Sequence, residues 1–166
     1  NKLGREFLIK TFLWYQKNPE KRKLLAYEQN DIVCGFLTMR LIGDKDSFFR
    51  YIFSTFIYSV IKFPKAVINK KFISKIFSKN IIKNKSVVNS FSTELMSLGV
   101  RTQNRNEGIA TKLINEFERI AKSYSSKKLI LSVRKDNSNA IGFYLKHGWG
   151  INHESDIEFI VLRKDI

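Results

Sequence analysis

Glu94-Leu95-Met96-Ser97-Leu98-Gly99-Val100 leads into the polar stretch Arg101 to Asn106, and then into Gly108-Ile109-Ala110-Thr111-Lys112-Leu113-Ile114. The first run alternates its side chains between two faces, as a strand does. The last repeats apolar residues at helical spacing, so a helix is predicted to start near Asn106. A helix N-terminus carries unpaired backbone N–H groups and a partial positive charge, which suits a phosphate or pyrophosphate. Small residues at Gly108 and Ala110 let an anion approach the backbone, and Arg105 adds charge.

A second constellation follows. Leu129-Ile130-Leu131-Ser132-Val133 is a short apolar strand, and Asn137-Ser138-Asn139-Ala140-Ile141-Gly142-Phe143-Tyr144-Leu145-Lys146-His147-Gly148-Trp149 comes after it. Asn137 is placed to cap a short helix and Gly148 to stop it. Tyr144 lies one turn beyond Ala140, on the same face of that helix.

The two stretches together resemble the GNAT superfamily of N-acetyltransferases, which move an acyl group from acetyl-CoA to an amine. The family's pyrophosphate turn, Gln/Arg-x-x-Gly-x-Gly/Ala, matches Arg105 to Ala110. Its Asn-x-x-Ala-x-x-x-Tyr-x-x-x-Gly-aromatic stretch matches Asn137 to Trp149. The resemblance is firm over about residues 92 to 150. It implies an α/β fold: a mixed, mostly antiparallel sheet with a V-shaped split between two strands, flanked by helices.

Site roles follow from the same resemblance. Arg105, Asn106, Gly108, Ile109, Ala110 and Thr111 would hold the pyrophosphate of acetyl-CoA, the one cosubstrate implied. Backbone groups near Leu98 and Val100 would bind the amides of the pantetheine arm, with Asn137 and Tyr144 completing the cofactor side. An amine attacking a thioester must lose a proton, and the departing thiolate must gain one, so a base and an acid are wanted on opposite sides. Glu94 stands where similar transferases carry a base, and the Tyr144 hydroxyl would lie near the thioester sulfur as the acid. A tyrosine of ordinary pKa, about 10, is protonated at neutral pH, as a donor must be. Each also has a plain structural reading: a solvated carboxylate at a strand mouth, and a buried aromatic with a hydrogen-bonded tip. Enzymes of the superfamily that acetylate protein N-termini place their Glu on the next strand, where this chain has Ser132.

Before these motifs, Leu24 to Glu28, the turn Gln29-Asn30-Asp31 and Ile32 to Leu37 read as a hairpin. Gly4 to Gln16 carries a helical pattern that ends near Asn18-Pro19. The family puts a strand before this helix and none is read here, so the chain is expected to be trimmed at its start or to lack that edge strand. After Trp149, the segments Gly150 to Asn152 and Ile157 to Leu162 read as two closing strands.

The chain has 166 residues, 43% of them hydrophobic, enough for one compact domain spanning 1–166. Its net charge is +15, much of it local: Ser47 to Ser86 holds nine Lys or Arg and no Asp or Glu, among many aromatics. Apolar residues there fall at helical spacing on both sides of Pro64, predicting two basic amphipathic helices inserted before the central strand. Only eleven residues separate Arg50 from Lys62, too few for a membrane span of about 20. The insertion therefore exposes a solvated basic face, shapes a pocket for an anionic acceptor, or docks on a membrane surface. No nucleic-acid motif accompanies the charge. Cys34, in a strand pattern, reads as a small buried hydrophobe, and His147 and His153 have no metal-ligand spacing, so no metal is expected.

The expected activity is thus acetyl transfer to a primary amine, with a small anionic amine such as an amino sugar as acceptor. A peptide or protein amine is the alternative acceptor, and a CoA-binding module without turnover, docked on an acidic partner or membrane, is the alternative class. No signal peptide or membrane span is read, so a cytoplasmic location is expected, with contact to the inner face of a membrane and assembly as a homodimer left open.

Overall fold

The computed structural model describes residues 9, 11–41, 92–152 and 158–166. The two helices expected over 47–86, the first residues of the helix expected from Gly4, and His153 lie outside the described residues. The chain divides into two compact units, Asn1–Asn18 with Lys45–Val87, and Pro19–Asp44 with Val88–Ile166. In the first, residues 11–16 are helical, and Trp14 and Tyr15 meet edge to face at 5.1 Å. Among the described residues no helix is long and apolar enough to cross a membrane.

The second unit is built on a six-stranded sheet. Its elements are β1 (Arg22–Gln29), β2 (Ile32–Arg40), β3 (Ser92–Val100), α1 (Ile109–Ser123), β4 (Lys128–Arg134), α2 (Ser138–Lys146), β5 (Gly150–Asn152) and β6 (Phe159–Asp165). The strand order is β1-β2-β3-β4-β6-β5. Every neighbouring pair is antiparallel except β3 and β4. The β1–β2 hairpin closes through Asn30 and Asp31, both in left-handed backbone (φ 51° and 59°). Two consecutive left-handed residues match the right-handed twist of the flanking strands, and Asn and Asp tolerate that conformation best after Gly.

Because β3 and β4 are parallel and α1 connects them, their C-terminal ends point the same way. The turn entering α1 and the cap of α2 therefore stand at one end of the sheet. The β3–β4 ladder is short: it pairs Ser92–Leu95 with Lys128–Leu131. Past it, β3 continues against β2 alone and β4 against β6 alone. Thr38 pairs with Ser97 and Met39 with Leu95, which makes Met96 an extra residue on β3, a bulge at the point where the ladder stops. Bulges sharpen local twist and end pairing, so the two features belong together. Ser126 pins the other end: its hydroxyl accepts from the Thr93 N–H at 3.1 Å and donates to the Lys128 carbonyl at 2.9 Å.

The core lies between one sheet face and the two helices. Ile109, Leu113, Ile114, Phe117, Ile120 and Ala121 of α1 are buried, one stripe of an amphipathic helix. They pack with Leu37, Met39, Leu95, Leu129, Leu131 and Leu162 of the sheet, and with Tyr144 and Trp149. Phe117 and Trp149 stack at 6.3 Å. Side-chain alternation sends the intervening residues to the opposite face. There the register aligns Arg22, Arg40, Glu94, Ile130 and Arg163 in one row across five strands.

Close approach of α1 to β2 depends on Gly35. A Cβ there would stand 2.9 Å from Ile109 Cγ2, 3.2 Å from Leu113 Cδ1 and 3.2 Å from the Gly99 carbonyl oxygen. Replacing Gly by Ala ordinarily gains about 0.4–1 kcal/mol through the unfolded chain where the backbone permits it. Here overpacking of about 1–3 kcal/mol outweighs that gain. Gly35→Ala is expected to lower the urea midpoint while leaving the slope of the transition unchanged; an unmoved or raised midpoint would show that α1 can retreat without cost.

Candidate active site

At the end of β3 the chain stays tied to β2 by the Arg101 N–H donating to the Cys34 carbonyl at 2.8 Å. A 3₁₀ turn, Thr102–Asn104, follows, and Asn104 donates to the Glu107 carboxylate at 3.3 Å. Asn106 (φ 67°) and Gly108 (φ 75°) then take left-handed conformations. These two residues hold the backbone out of the helix, so α1 begins at Ile109, three residues later than apolar periodicity placed it. Gly108 is its N-cap; no side chain caps it and its first turn holds no acidic residue. A Cβ built on Gly108 meets nothing within 4 Å, so the space before the helix is open. Arg105 and Asn106 are exposed beside it, and Ala110 and Thr111 are half-buried. The Ile109 side chain is in the core, leaving only its backbone to the site. An uncapped helix N-terminus behind a left-handed glycine is a natural anion cradle, and the residues present fit a phosphate.

The second helix stands at the same end. Asn137 Oδ1 accepts from the Ala140 N–H at 3.2 Å and caps α2, and Gly148 (φ 80°) lies just past its end. Tyr144 is buried, edge to face with Phe143 at 5.3 Å and with Trp149 at 5.8 Å. Burial pushes its phenol up to about 12.

His147, which sequence reasoning considered only as a metal ligand, joins the two helices. Its Nδ1 lies 2.8 Å from the Phe143 carbonyl oxygen, and its Nε2 lies 3.1 Å from Thr111 Oγ1 in the first turn of α1. A bond spanning 36 residues leaves no local signal in the sequence.

Glu94 lies in the row on the other sheet face, paired with Arg40 at 3.2 Å; both side chains are about four-fifths buried, 20% and 18% exposed. Burial raises the Glu94 pKa above the ordinary carboxylate value, and the Arg40 charge and hydrogen bond oppose the rise. Leu98 and Val100, both half-buried, lie beyond Met96 in register with Leu37 and Gly35. Ser132 is exposed on β4, one residue past the end of the ladder. The structure thus gathers the Arg105–Thr111 turn, Asn137 and Tyr144 at one end of the sheet, and sets Glu94 on the face opposite the helices. Cys34 is buried in β2, its thiol 3.3 Å from the Ile32 carbonyl oxygen. Among the described residues, His, Cys, Asp and Glu form no cluster able to hold a metal.

Residues 79–149 match the acetyltransferase (GNAT) family. Both stretches that carry the resemblance, Arg105 to Ala110 and Asn137 to Trp149, fall inside that segment. No curated protein matches the sequence. Among solved structures, the fold is similar to the PaiA N-acetyltransferase of Thermoplasma acidophilum in complex with coenzyme A. The two are 14% identical with a TM-score of 0.59, over 91% of this chain and 66% of that one. An acetyltransferase of Bacillus subtilis, also in complex with CoA, is similar at 10% identity and TM-score 0.56, over 92% of this chain and 82% of that one. Ard1 of Thermoplasma volcanium is similar at 15% identity and TM-score 0.58, over 94% of this chain and 77% of that one.

The seal around Tyr144 can be read directly. Subtracting the alkaline absorbance titration of Tyr144→Phe from that of the unaltered chain should leave one phenol ionising near pH 12, about two units above an ordinary tyrosine. The fold holds this proton more tightly than the unfolded chain. The corresponding stability is therefore complete below about pH 10 and lost as pH rises through about 12. A difference curve centred near pH 10 would mean that solvent reaches the hydroxyl.

Proposed function

We propose, starting from a GNAT-type acetyltransferase domain, that this chain acetylates a primary amine with acetyl-CoA by direct attack, without a covalent acyl-enzyme. The observation that carries the reading is a coincidence at one end of the sheet. An uncapped helix N-terminus and a buried, fully protonated phenol stand there together, beside two strands that continue past the end of their ladder.

The Ile109, Ala110 and Thr111 N–H groups, with Arg105, Asn106 and Gly108 around them, bind the pyrophosphate. The free edges of β3 and β4 beyond Leu95 and Leu131 form a V-shaped opening, in which backbone near Leu98 and Val100 holds the pantetheine amides. Asn137 fixes the start of α2 and so the place of Tyr144. Acetyl-CoA, when bound, supplies the thioester carbonyl. Tyr144 donates its proton toward the sulfur side, and a pKa near 12 keeps that proton in place at any physiological pH. Glu94, on the opposite face, takes the amine's proton, directly or through water. Burial raises its basicity for that task, and the Arg40 charge and hydrogen bond oppose the rise. The two roles thus fall on opposite sides of the sheet, with the opening between β3 and β4 as the passage. The net charge of +15 favours an anionic amine, such as an amino sugar, over a cationic peptide as acceptor.

Calorimetric titration with acetyl-CoA tests the cofactor half: saturable binding that survives moderate salt is expected, and Gly108→Asp should weaken it at least tenfold. That change sets a carboxylate against the phosphate and puts a side chain on left-handed backbone. Undiminished binding would remove the assignment of the turn.

Tyr144→Phe should lower turnover by about 10²-fold at unchanged acetyl-CoA affinity, the scale of general acid catalysis. Unchanged turnover would end the acid role. For Glu94, the rate should rise with pH through its raised pKa. Arg40→Gln removes the cation that lowers that pKa, so the acid limb should move to higher pH. A limb that stays in place would exclude Glu94 as the base.

A further inference from the structure

The hydrogen bonds around His147 fix where its protons are. Nδ1 faces a carbonyl oxygen, that of Phe143, which can only accept, so Nδ1 carries a proton. In the neutral ring Nε2 is then an acceptor, and the single hydroxyl proton of Thr111 is committed to it across 3.1 Å. Thr111 is the third residue of α1, in the turn whose N–H groups form the anion cradle. With its proton spent on His147, the Thr111 oxygen can offer a phosphate only lone pairs, which repel it. A second proton on the ring reverses the bond: Nε2–H donates to Thr111 Oγ1, and the hydroxyl proton is released to point at the anion.

We propose that His147 is a positioning residue of the phosphate cradle: as an imidazolium it turns the Thr111 hydroxyl into a phosphate donor, so the ligand's pyrophosphate binds together with one proton taken from solvent at Nε2. The proposal deepens the reading of the α1 N-terminus as the pyrophosphate site and rests on it.

The surroundings accommodate the charge. The Phe143 ring lies 4.3 Å from the imidazole at a 40° tilt, close enough for cation–π attraction. From β6, Lys164 Nζ reaches the His147 carbonyl oxygen at 2.8 Å, and its charge is offset by a two-pronged pair to Glu118 of α1 at 2.8 and 2.9 Å. From α1 itself, Thr111 faces the ring. Lys146 is the neighbour on α2 and is exposed. Among these groups, the ligand's phosphate is the only uncompensated negative charge that would be added, and it favours the imidazolium.

Dephospho-CoA is the probe of choice, because its pyrophosphate diester keeps the same charge from about pH 5 to 8, the range over which imidazoles change charge. The 3′-phosphate of CoA would itself titrate there. Calorimetry at neutral pH in two buffers of different ionisation enthalpy should show net proton uptake, and affinity should fall about tenfold from pH 5 to 8, the loss of one charge-assisted hydrogen bond. Both signals should vanish in Thr111→Val, which removes the hydroxyl, and in His147→Gln, whose amide cannot titrate. A role confined to packing would weaken binding equally at every pH. Saturable binding without proton uptake overturns the proposal, as does uptake that persists in Thr111→Val, even if His147→Gln does not fold. Absence of saturable binding at every pH removes the phosphate site itself, and the proposal with it.

Discussion

Backbone pairing between β3 and β4 stops at Leu95 and Leu131 while both strands run on, and the rest of the site depends on where it stops. Buried backbone polar groups must find partners, so strand edges that stop pairing persist only where solvent or a ligand can satisfy them. The length of the ladder is set at both ends. The Met96 bulge adds twist at the last paired residue, and Ser126 clamps the first paired residues through the Thr93 N–H and the Lys128 carbonyl. Between them the ladder is held to four residue pairs, and the C-terminal halves of the strands run on without pairing to one another.

The helices are positioned by that same constraint. Each follows one of these two parallel strands, so both N-termini arrive at the same end of the sheet. Gly35 lets α1 settle onto β2, and the aromatic cluster of Phe117, Tyr144 and Trp149 draws α2 against α1. The Thr111–His147 bond then fixes the first turn of one helix to the end of the other. Tyr144, one turn before Gly148, is carried into place by packing that also seals it from water and pushes its pKa further up.

Much of this was legible in the sequence because it rests on local rules. The turn Asn30-Asp31, the Asn137 cap and the Gly108 turn each depend on residues with special backbone tolerance, and strands β1 to β4 showed their alternation or apolar content. The strands were read short, because Arg22, Arg40, Lys128 and Arg134 are polar ends that pairing recruits into the ladder. The start of α1 was read early, since apolar periodicity cannot see that Asn106 and Gly108 are left-handed. The partners of the site residues were not legible at all. Arg40 lies 54 residues from Glu94 and His147 lies 36 from Thr111, and only the sheet register and the helix crossing bring them together.

The N-terminus of α1 shows how the fold supports a site that weakens it locally. A helix start capped by glycine in place of Ser, Thr, Asp or Asn forgoes about a few tenths of a kcal/mol, and the left-handed Asn106 restricts the chain further. Helix stability in a folded domain comes mainly from its packed apolar face, and α1 buries six residues along that face. The core therefore holds the helix against the sheet whatever happens at its first turn. That leaves the first N–H groups unspent, aimed at the open space beside Gly108, where an anion can satisfy them. A capping side chain would compete with an anion for those same donors, and the N-cap Gly108 has none to offer.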